Sequence, residues 1–378
     1  MLHAEQVLLG ERLLDYIASG ATAAMERPYL QSVEEYISDE FAAREEHSLF
    51  RPLPLCVGLS GLLPGPNTFS THDLSGQPIL LTRAADGRFR AFLNVCRHRG
   101  ARVADGCGRQ RNFVCPYHAW TFGLDGNLVA RPEEYAFESV PRANSSLVAL
   151  PAVERDGMLW VRPSPGADFD LDRHLAGAQV ELGAYALKDF HLYRSTVLRR
   201  RMNWKLLLDT FLESYHFCVL HKNSICSIFY DNLTTFDSWG EHFRIVSARR
   251  TIEQIKGLDK GDWNLLPHIV AIYVLFPNTV LVWQLDHIEL WQIFPGRTPD
   301  ESAVELSLYT PDPTETERAR AHWDKNFDLV VGVVEDEDFP VGEGIQNGFH
   351  SGAQPHITFG TNEPALAFFH RAVTDRTA

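Results

Sequence analysis

The sequence predicts an α+β protein in three parts. They are a helical arm over residues 1–48, a small all-β domain over 49–165, and a larger domain over 166–378 in which helices cover a meander of strands. The arm is read from Val7, Leu8, Leu13, Leu14 and Ile17, which recur at the three- and four-residue intervals of one helix face, and from a second, acidic helical stretch over Val33 to Ala43. The β domain is read from short apolar runs such as Ile79-Leu80-Leu81, Phe89 to Val95 and Met158 to Val161, separated by Gly, Pro and the turn pair Asp125-Gly126. Beyond a Pro-, Gly- and Asp-rich loop over 163–172, a helical pattern from Asn203 to Leu220 precedes strand-like runs at Ile269–Phe276, Val280–Leu285, Ile288–Phe294 and Ala303–Tyr309. A final helix places Trp323, Phe327, Val330, Val331 and Val334 on one face.

Composition narrows the function. At 378 residues, 45% hydrophobic and 22% charged, the chain is neither disordered nor fibrous. Its 35 Lys and Arg against 49 Asp and Glu give a formal charge of −14, and Arg199-Arg200-Arg201 is the one short basic run, which argues against nucleic-acid binding. Residues 1–29 carry Glu5, Glu11, Arg12, Asp15, Glu26 and Arg27, unlike a signal peptide, and no apolar run reaches the roughly 18 residues of a membrane span. A cytoplasmic location is expected. The six cysteines are accordingly expected as thiols or metal ligands, with no disulfide: Cys56, Cys218 and Cys226 as core thiols, and Cys107 as non-ligating.

The remaining two cysteines stand in Cys96-Arg97-His98 and Cys115-Pro116-Tyr117-His118. Zinc motifs usually pair like with like, Cys-x-x-Cys with His-x(3–5)-His. Here each loop supplies one thiolate and one imidazole, which suits a Rieske-type 2Fe-2S cluster: two thiolates hold one iron and two neutral imidazoles the other, raising the reduction potential. Structural zinc, or four unconnected side chains, are the competing readings.

A second constellation lies in the helical pattern from Asn203. Asp209, Glu213 and His216 follow at intervals of four and three and fall on one stripe, where an amphipathic helix would carry apolar residues. His221 is five residues after His216, so both imidazoles reach one ion only if the helix is interrupted, which is expected near Phe217–Val219. Two His and one carboxylate form the facial triad that holds ferrous iron with positions open for dioxygen. Asp338 is the candidate carboxylate, in the acidic run 335–343 just beyond the last helix, with Pro340 stopping that helix; the competing reading of the run is a solvated helix end.

Together Cys96-Arg-His-Arg-Gly100, Cys115-Pro-Tyr-His118-Ala-Trp120, Asn203-Trp-Lys205, Glu213-x-x-His216-x(4)-His221 and Glu337-Asp338, with Glu343 and Gln346 downstream, resemble the Rieske non-heme iron oxygenases. The likeness is to the catalytic α subunit of the ring-hydroxylating dioxygenase family and runs from about residue 45 to the end. It implies a Rieske domain followed by a catalytic domain with a helix-flanked antiparallel sheet. The implied cluster ligands are Cys96, His98, Cys115 and His118; the implied iron ligands are His216, His221 and Asp338. Glu213 takes the place of the family's acidic residue that bridges, across a subunit boundary, to a cluster histidine (His118 or His98) of the neighbouring subunit; Glu there is frequent in members like the carnitine and betaine oxygenases. Asp209 falls where ring dioxygenases commonly carry Asn, a candidate for chemistry near the iron, and Ala119 replaces a common Gly.

The resemblance further implies a head-to-tail homotrimer and a flavin- and NAD(P)H-dependent reductase, with or without a ferredoxin, as electron donor. The substrate it implies is an aromatic or cyclic compound to be hydroxylated, or alternatively a quaternary ammonium or methoxylated compound to be hydroxylated or demethylated. Its pocket is expected between the meander strands and the segment 224–236, which carries Ile225, Ile228, Phe229 and Tyr230. An electron carrier with an inactive second domain, and a zinc-stabilised structural protein, are the competing classes.

Overall fold

The computed structural model describes residues 1–378 and divides into two compact units. One comprises Met1–Leu49, Asp172–Ala186 and Leu192–Ala378; the other comprises Phe50–Leu171 with Leu187–His191. No helix is long and apolar enough to cross a membrane.

The smaller unit is built of antiparallel strands at the runs whose alternation and turn residues favour them. A five-stranded sheet has the order Ala149–Leu150, Phe89–Leu93, Ile79–Arg83, Thr68–His72, Cys107–Arg109. Two three-stranded sheets accompany it, one of Ala152–Arg155, Met158–Val161 and Leu55–Leu59, the other of Asn112–Val114, Thr121–Gly123 and Leu128–Ala130. Phe69, Leu80, Phe92, Phe113, Trp120 and Phe122 form a core that takes in Cys96 and Cys115.

Those two cysteines open two loops closed by the same pair of backbone bonds. Cys96 N–H donates to Ala101 O at 2.7 Å and Gly100 N–H to Cys96 O at 2.9 Å; Cys115 N–H donates to Trp120 O at 2.8 Å and Ala119 N–H to Cys115 O at 3.0 Å. Each closure needs a left-handed residue four positions after the cysteine, and Gly100 (φ 79°) and Ala119 (φ 56°) supply it. Glycine adopts this conformation freely, whereas the Cβ of Ala119 costs about 1 kcal/mol there.

The larger unit centres on a seven-stranded sheet of β1 (His191–Arg200), β2 (Phe229–Trp239), β3 (His242–Arg249), β4 (Ile269–Leu275), β5 (Thr279–Gln284), β6 (His287–Pro295) and β7 (Ser302–Thr310), in the order β1-β7-β6-β5-β4-β3-β2. From β7 to β2 every neighbouring pair is antiparallel. Ile272 lies opposite Val282 and Val282 opposite Glu289; Val270 lies opposite Gln284, and Val280 opposite Trp291. Directly opposed residues share a face, so these rows form one continuous surface.

The helices of this unit include α1 (His3–Ser19), α2 (Asp39–Glu45), α3 (Trp204–Asp209), α4 (Phe217–Leu220), α5 (Glu317–Val333), α6 (Phe339–Phe349) and α7 (Pro364–Thr377). Two expectations are corrected here. The helical pattern from Asn203 does not run to Leu220 with a break at Phe217–Val219: α3 ends at Asp209 and α4 is a separate turn. After α3 the backbone tightens to i→i−3 bonds at Phe211 and Leu212, and the Glu213 carboxylate then accepts the N–H groups of Tyr215 and His216, which a continuous helix would direct to carbonyls. Nor does Pro340 stop the last helix. After α5 a π-turn over Val334–Asp338 leads directly into α6, where Pro340 occupies the first turn and needs no N–H partner, and α7 follows later.

Asn203-Trp204-Lys205 fixes the start of α3. The Asn203 side chain accepts from Lys205 N–H at 3.0 Å and donates to the Tyr36 and Pro299 carbonyls, each at 3.0 Å, while its N–H donates to Gln346 Oε1 at 3.0 Å. Lys205 is fully buried and its ammonium donates to the carboxylate of Glu45 on α2, which also accepts from Trp204 Nε1 at 2.9 Å. Burial raises the Glu45 carboxyl above its ordinary range, against the pull of Lys205.

Lys205→Met is therefore expected to cost about 3–5 kcal/mol in denaturant unfolding, because it strands a buried carboxylate, and a second change, Glu45→Gln, should recover most of that loss. Ala119→Gly is expected to stabilise the smaller unit by about 1 kcal/mol in the same measurement, by relieving the left-handed alanine.

Candidate metal centres

The smaller unit brings Cys96, His98, Cys115 and His118 together at the tips of the two matched loops. The cysteines are buried, at 2% and 3% exposure, and their thiols are hydrogen-bonded to each other. The imidazoles are half-buried with ring centroids 4.6 Å apart. His98 stacks on Trp120 at 4.9 Å, and its Nδ1 is buried with no hydrogen-bond partner. Burial, His118 and Arg99 together push its pKa down, so it stays neutral. Two inner thiols, two outer imidazoles and an orphaned ring nitrogen fit a cluster with thiolates on one iron and imidazoles on the other. Burial also raises the Cys96 pKa, which is the condition a metal would reverse. Cys107 is exposed on a strand, and Cys56 is a buried thiol whose pKa burial pushes up to about 12.

In the larger unit, ligand atoms of His216, His221 and Asp338 all lie within 4.8 Å of one another. Asp338 Oδ1 is 3.7 Å from His216 Nε2 and 3.3 Å from His221 Nε2. The single turn of α4 does this work: His216 is its N-cap and His221 its C-cap, so the rings meet at 5.0 Å between centroids. The π-turn then presents Asp338, which is 6% exposed. Each histidine is clamped through its other nitrogen, His216 Nδ1 by Glu213 and His221 Nδ1 by Glu337, and Ser224 Oγ donates to Glu337 at 2.7 Å. A carboxylate on the distal nitrogen fixes the tautomer and aims Nε2 at the third ligand, the arrangement characteristic of metal-binding histidines. Burial alone would lower the His221 pKa, but Asp338 and Glu337 outweigh it and raise it. The site is thus one that a cation stabilises.

Asp209 is not in that group. Its carboxylate accepts from Tyr36 Oη at 2.9 Å and pairs with His370 Nε2 at 2.8 Å, tying the end of α3 to the N-terminal segment and to α7. Glu337, which stands in the sequence only as the neighbour of Asp338, takes this role through a partner, His221, that is 116 positions away and beyond the reach of any local pattern. The expectation for Cys218 and Cys226 is corrected: they are half-buried and form a disulfide with Cα atoms 4.9 Å apart, because the chain doubles back after α4.

Beside the triad lies a cavity of about 160 Å³. Its floor is the sheet surface of Val270, Ile272, Val282, Gln284, Glu289 and Trp291, and α5 closes it with Leu329, Val330 and Val333. Of the four residues expected from the segment 224–236, Ile225 and Phe229 line it, while Ile228 and Tyr230 do not. Thr210, Glu213, His216 and Asp338 also border a second cavity, of about 360 Å³, whose wall includes Asp209.

Comparison with known proteins follows the same division. Residues 54–141 match the model of the Rieske [2Fe-2S] domain, and residues 187–378 match that of the ring hydroxylating alpha subunit (catalytic domain). A carnitine monooxygenase oxygenase subunit from Acinetobacter baumannii is 33% identical over 208 residues, 54% of this chain and 56% of the relative, so the chain spans a little over half the length of that curated relative. Among solved structures, the quaternary ammonium Rieske monooxygenase CntA in complex with L-carnitine superposes with a TM-score of 0.80 at 23% identity, over 92% of this chain and 96% of the other. A naphthalene 1,2-dioxygenase mutant bound to phenanthrene gives 0.75 at 18% identity, over 94% and 93%. These likenesses confirm the α+β architecture, and the paired domain matches assign a Rieske [2Fe-2S] cluster and a mononuclear iron as cofactors. With half of its length matched by the catalytic-domain model and a Rieske domain ahead of it, the chain belongs to the ring-hydroxylating oxygenase α-subunit family.

Proposed function

We propose that this chain is the terminal oxygenase of a Rieske system, which uses dioxygen and reductase-supplied electrons to oxygenate a small organic substrate in the cavity beside His216, His221 and Asp338. These three are the ligands of the mononuclear iron, and Cys96, His98, Cys115 and His118 those of the cluster. The observation that carries this reading is the convergence of His216 Nε2, His221 Nε2 and Asp338 on one point at the wall of an apolar cavity. When bound, the cluster supplies single electrons and the ferrous iron supplies open positions for dioxygen activation.

The chain's own residues do the rest. Glu213 and Glu337 hold the Nδ1 protons of His216 and His221, leaving both Nε2 lone pairs directed inward. Val270, Ile272, Val282 and Trp291 give the cavity an apolar floor on which substrate carbon packs beside the triad. Glu213 is half-buried and, in a head-to-tail homotrimer, is the contact for His118 or His98 of an adjacent subunit. The electron donor is a flavin- and NAD(P)H-dependent reductase, with or without a ferredoxin.

Of the two substrate classes, the one bearing a cationic nitrogen is favoured. A carboxylate, Glu289, stands in the cavity wall, held by Trp291 Nε1 and paired with His287, and it sets a carboxylate beside the substrate. The relative named for carnitine and the structure described as a quaternary ammonium monooxygenase point the same way.

Asp338→Asn with His221→Ala is expected to remove one iron per chain and abolish oxygenation while leaving the visible spectrum of the cluster unchanged; unchanged iron content would exclude these ligands. Glu213→Gln should keep both metals, by iron and sulfide assay, and lower reductase-driven turnover about 100-fold. Wild-type turnover in that variant would refute the role given to Glu213.

A further inference from the structure

His221 stands at the head of an irregular stretch. From His221 to Ile228 the chain is turn throughout, between the single turn of α4 and the start of β2. Lys222, Asn223, Ser227 and Ile228 are exposed, and Val219 on α4 is 82% exposed. Few bonds fix this stretch. His221 O accepts from Ser224 N–H at 3.2 Å and from Cys226 N–H at 3.1 Å, Ser224 Oγ donates to Glu337, and Cys218 N–H donates to Asp231 Oδ1 at 3.3 Å. A short run of turns with largely exposed side chains opens at small free-energy cost. Yet the His221 ring must stay close to Asp338, with Nε2 3.3 Å from Oδ1, if the two are to share a cation.

The Cys218–Cys226 disulfide meets that need. It joins residues eight positions apart with His221 between them, tying α4 to the end of the run of turns. A cross-link removes the open conformations of the loop it closes. Phe217, beside one cysteine, and Ile225, beside the other, both line the cavity, so the same bond bears on the cavity wall. Both cysteines are half-buried, and their neighbours Val219 and Ser227 are exposed, so the bond lies near the surface. The other four cysteines all belong to the smaller unit, which leaves this pair without a competing thiol in its own unit. We propose that Cys218–Cys226 is a thiol–disulfide exchange site that governs how firmly the chain holds its mononuclear iron: oxidised, it pins His221 in the coordinating position; reduced, it frees the loop and the metal leaves faster. This rests on the reading of His216, His221 and Asp338 as the iron ligands and adds redox control of that site. A dithiol carries out the reduction. One of its thiolates attacks a cysteine sulfur, breaking the S–S bond and expelling the other cysteine as a thiolate; its second thiolate then attacks the mixed disulfide and expels the first cysteine. Two electrons and two protons pass to the pair, which becomes two thiols, and the dithiol leaves as its cyclic disulfide.

The test is the rate at which the ferrous chelator ferrozine takes iron from the anaerobic holoenzyme, before and after treatment with dithiothreitol and desalting. Alkylation followed by mass spectrometry reports the state of the pair. Cys218 and Cys226 are expected to alkylate only after reduction, and iron release to become about tenfold faster, the order set by the closure entropy of a short loop. Oxidised glutathione should restore the slow rate, with the visible spectrum of the cluster unchanged throughout. The double variant Cys218→Ser, Cys226→Ser should release iron at the reduced protein's rate whether or not it has met dithiothreitol. Release that ignores reduction, a pair that alkylates without reduction or resists it in the holoenzyme, or the same acceleration by dithiothreitol in the double variant would overturn the proposal. If the double variant does not fold, the wild-type series decides alone. Bound iron whose release ignores the disulfide would overturn this proposal and leave the oxygenase reading standing, whereas a chain with its disulfide intact and no iron for ferrozine to take would overturn both.

Discussion

The larger unit is organised around a requirement that two imidazoles and one carboxylate point at the same place. Left alone, these groups would not hold such an arrangement: Asp338 is buried, His221 is almost wholly buried, and both rings need a fixed tautomer. Carboxylates on the outer nitrogens meet the last need, since Glu213 and Glu337 each occupy an Nδ1. Glu213 serves twice, because the same side chain takes the backbone N–H groups of Tyr215 and His216 at the entry to the short turn that brings the rings together. On the other side a π-turn rotates Asp338 inward without ending the helical stack that carries it.

The surrounding structure holds these short elements in place. Isolated turns of four or five residues have little stability of their own. The start of α3 is fixed by the Asn203 hydrogen bonds and the buried Lys205–Glu45 pair, and its end by Asp209 with Tyr36 and His370. Both ends are thus secured by residues far away in sequence, from the N-terminal segment and from α7. The sheet floor is set by strand register, which aligns Ile272, Val282 and Glu289 in a single row. Glu289 in that row brings a carboxylate into the sheet floor of the cavity.

Local chemistry was legible in the sequence, and chemistry that depends on distant approach was not. The Cys-x-His and Cys-x-x-His pairs are close in sequence, so their spacing carries their geometry, and the loops that result are matched bond for bond. Strands β4 to β7 announced themselves as apolar runs because they are almost entirely buried. Strands β1 and β2 are rich in polar and charged residues and partly exposed, so neither read as a strand. The pairing of His216 with His221 required a helix break, but that break falls earlier, after Asp209, where no glycine or proline marks it. The Cys218–Cys226 disulfide, the Glu337 clamp on His221 and the inward face of Glu289 all arise from tertiary approach, and none leaves a local pattern. Pro340 misled because a proline that would end a helix from within is tolerated in the first turn of the next.

The account stands on two distinct iron centres in one chain, and the direct measurement is anaerobic quantitation of iron and acid-labile sulfide with electron paramagnetic resonance of the dithionite-reduced protein. Three irons and two sulfides per chain, with the low average g of a cluster held partly by histidine, are the predicted result. A colourless protein containing zinc, or two irons that stay two after reconstitution with ferrous iron, would contradict it.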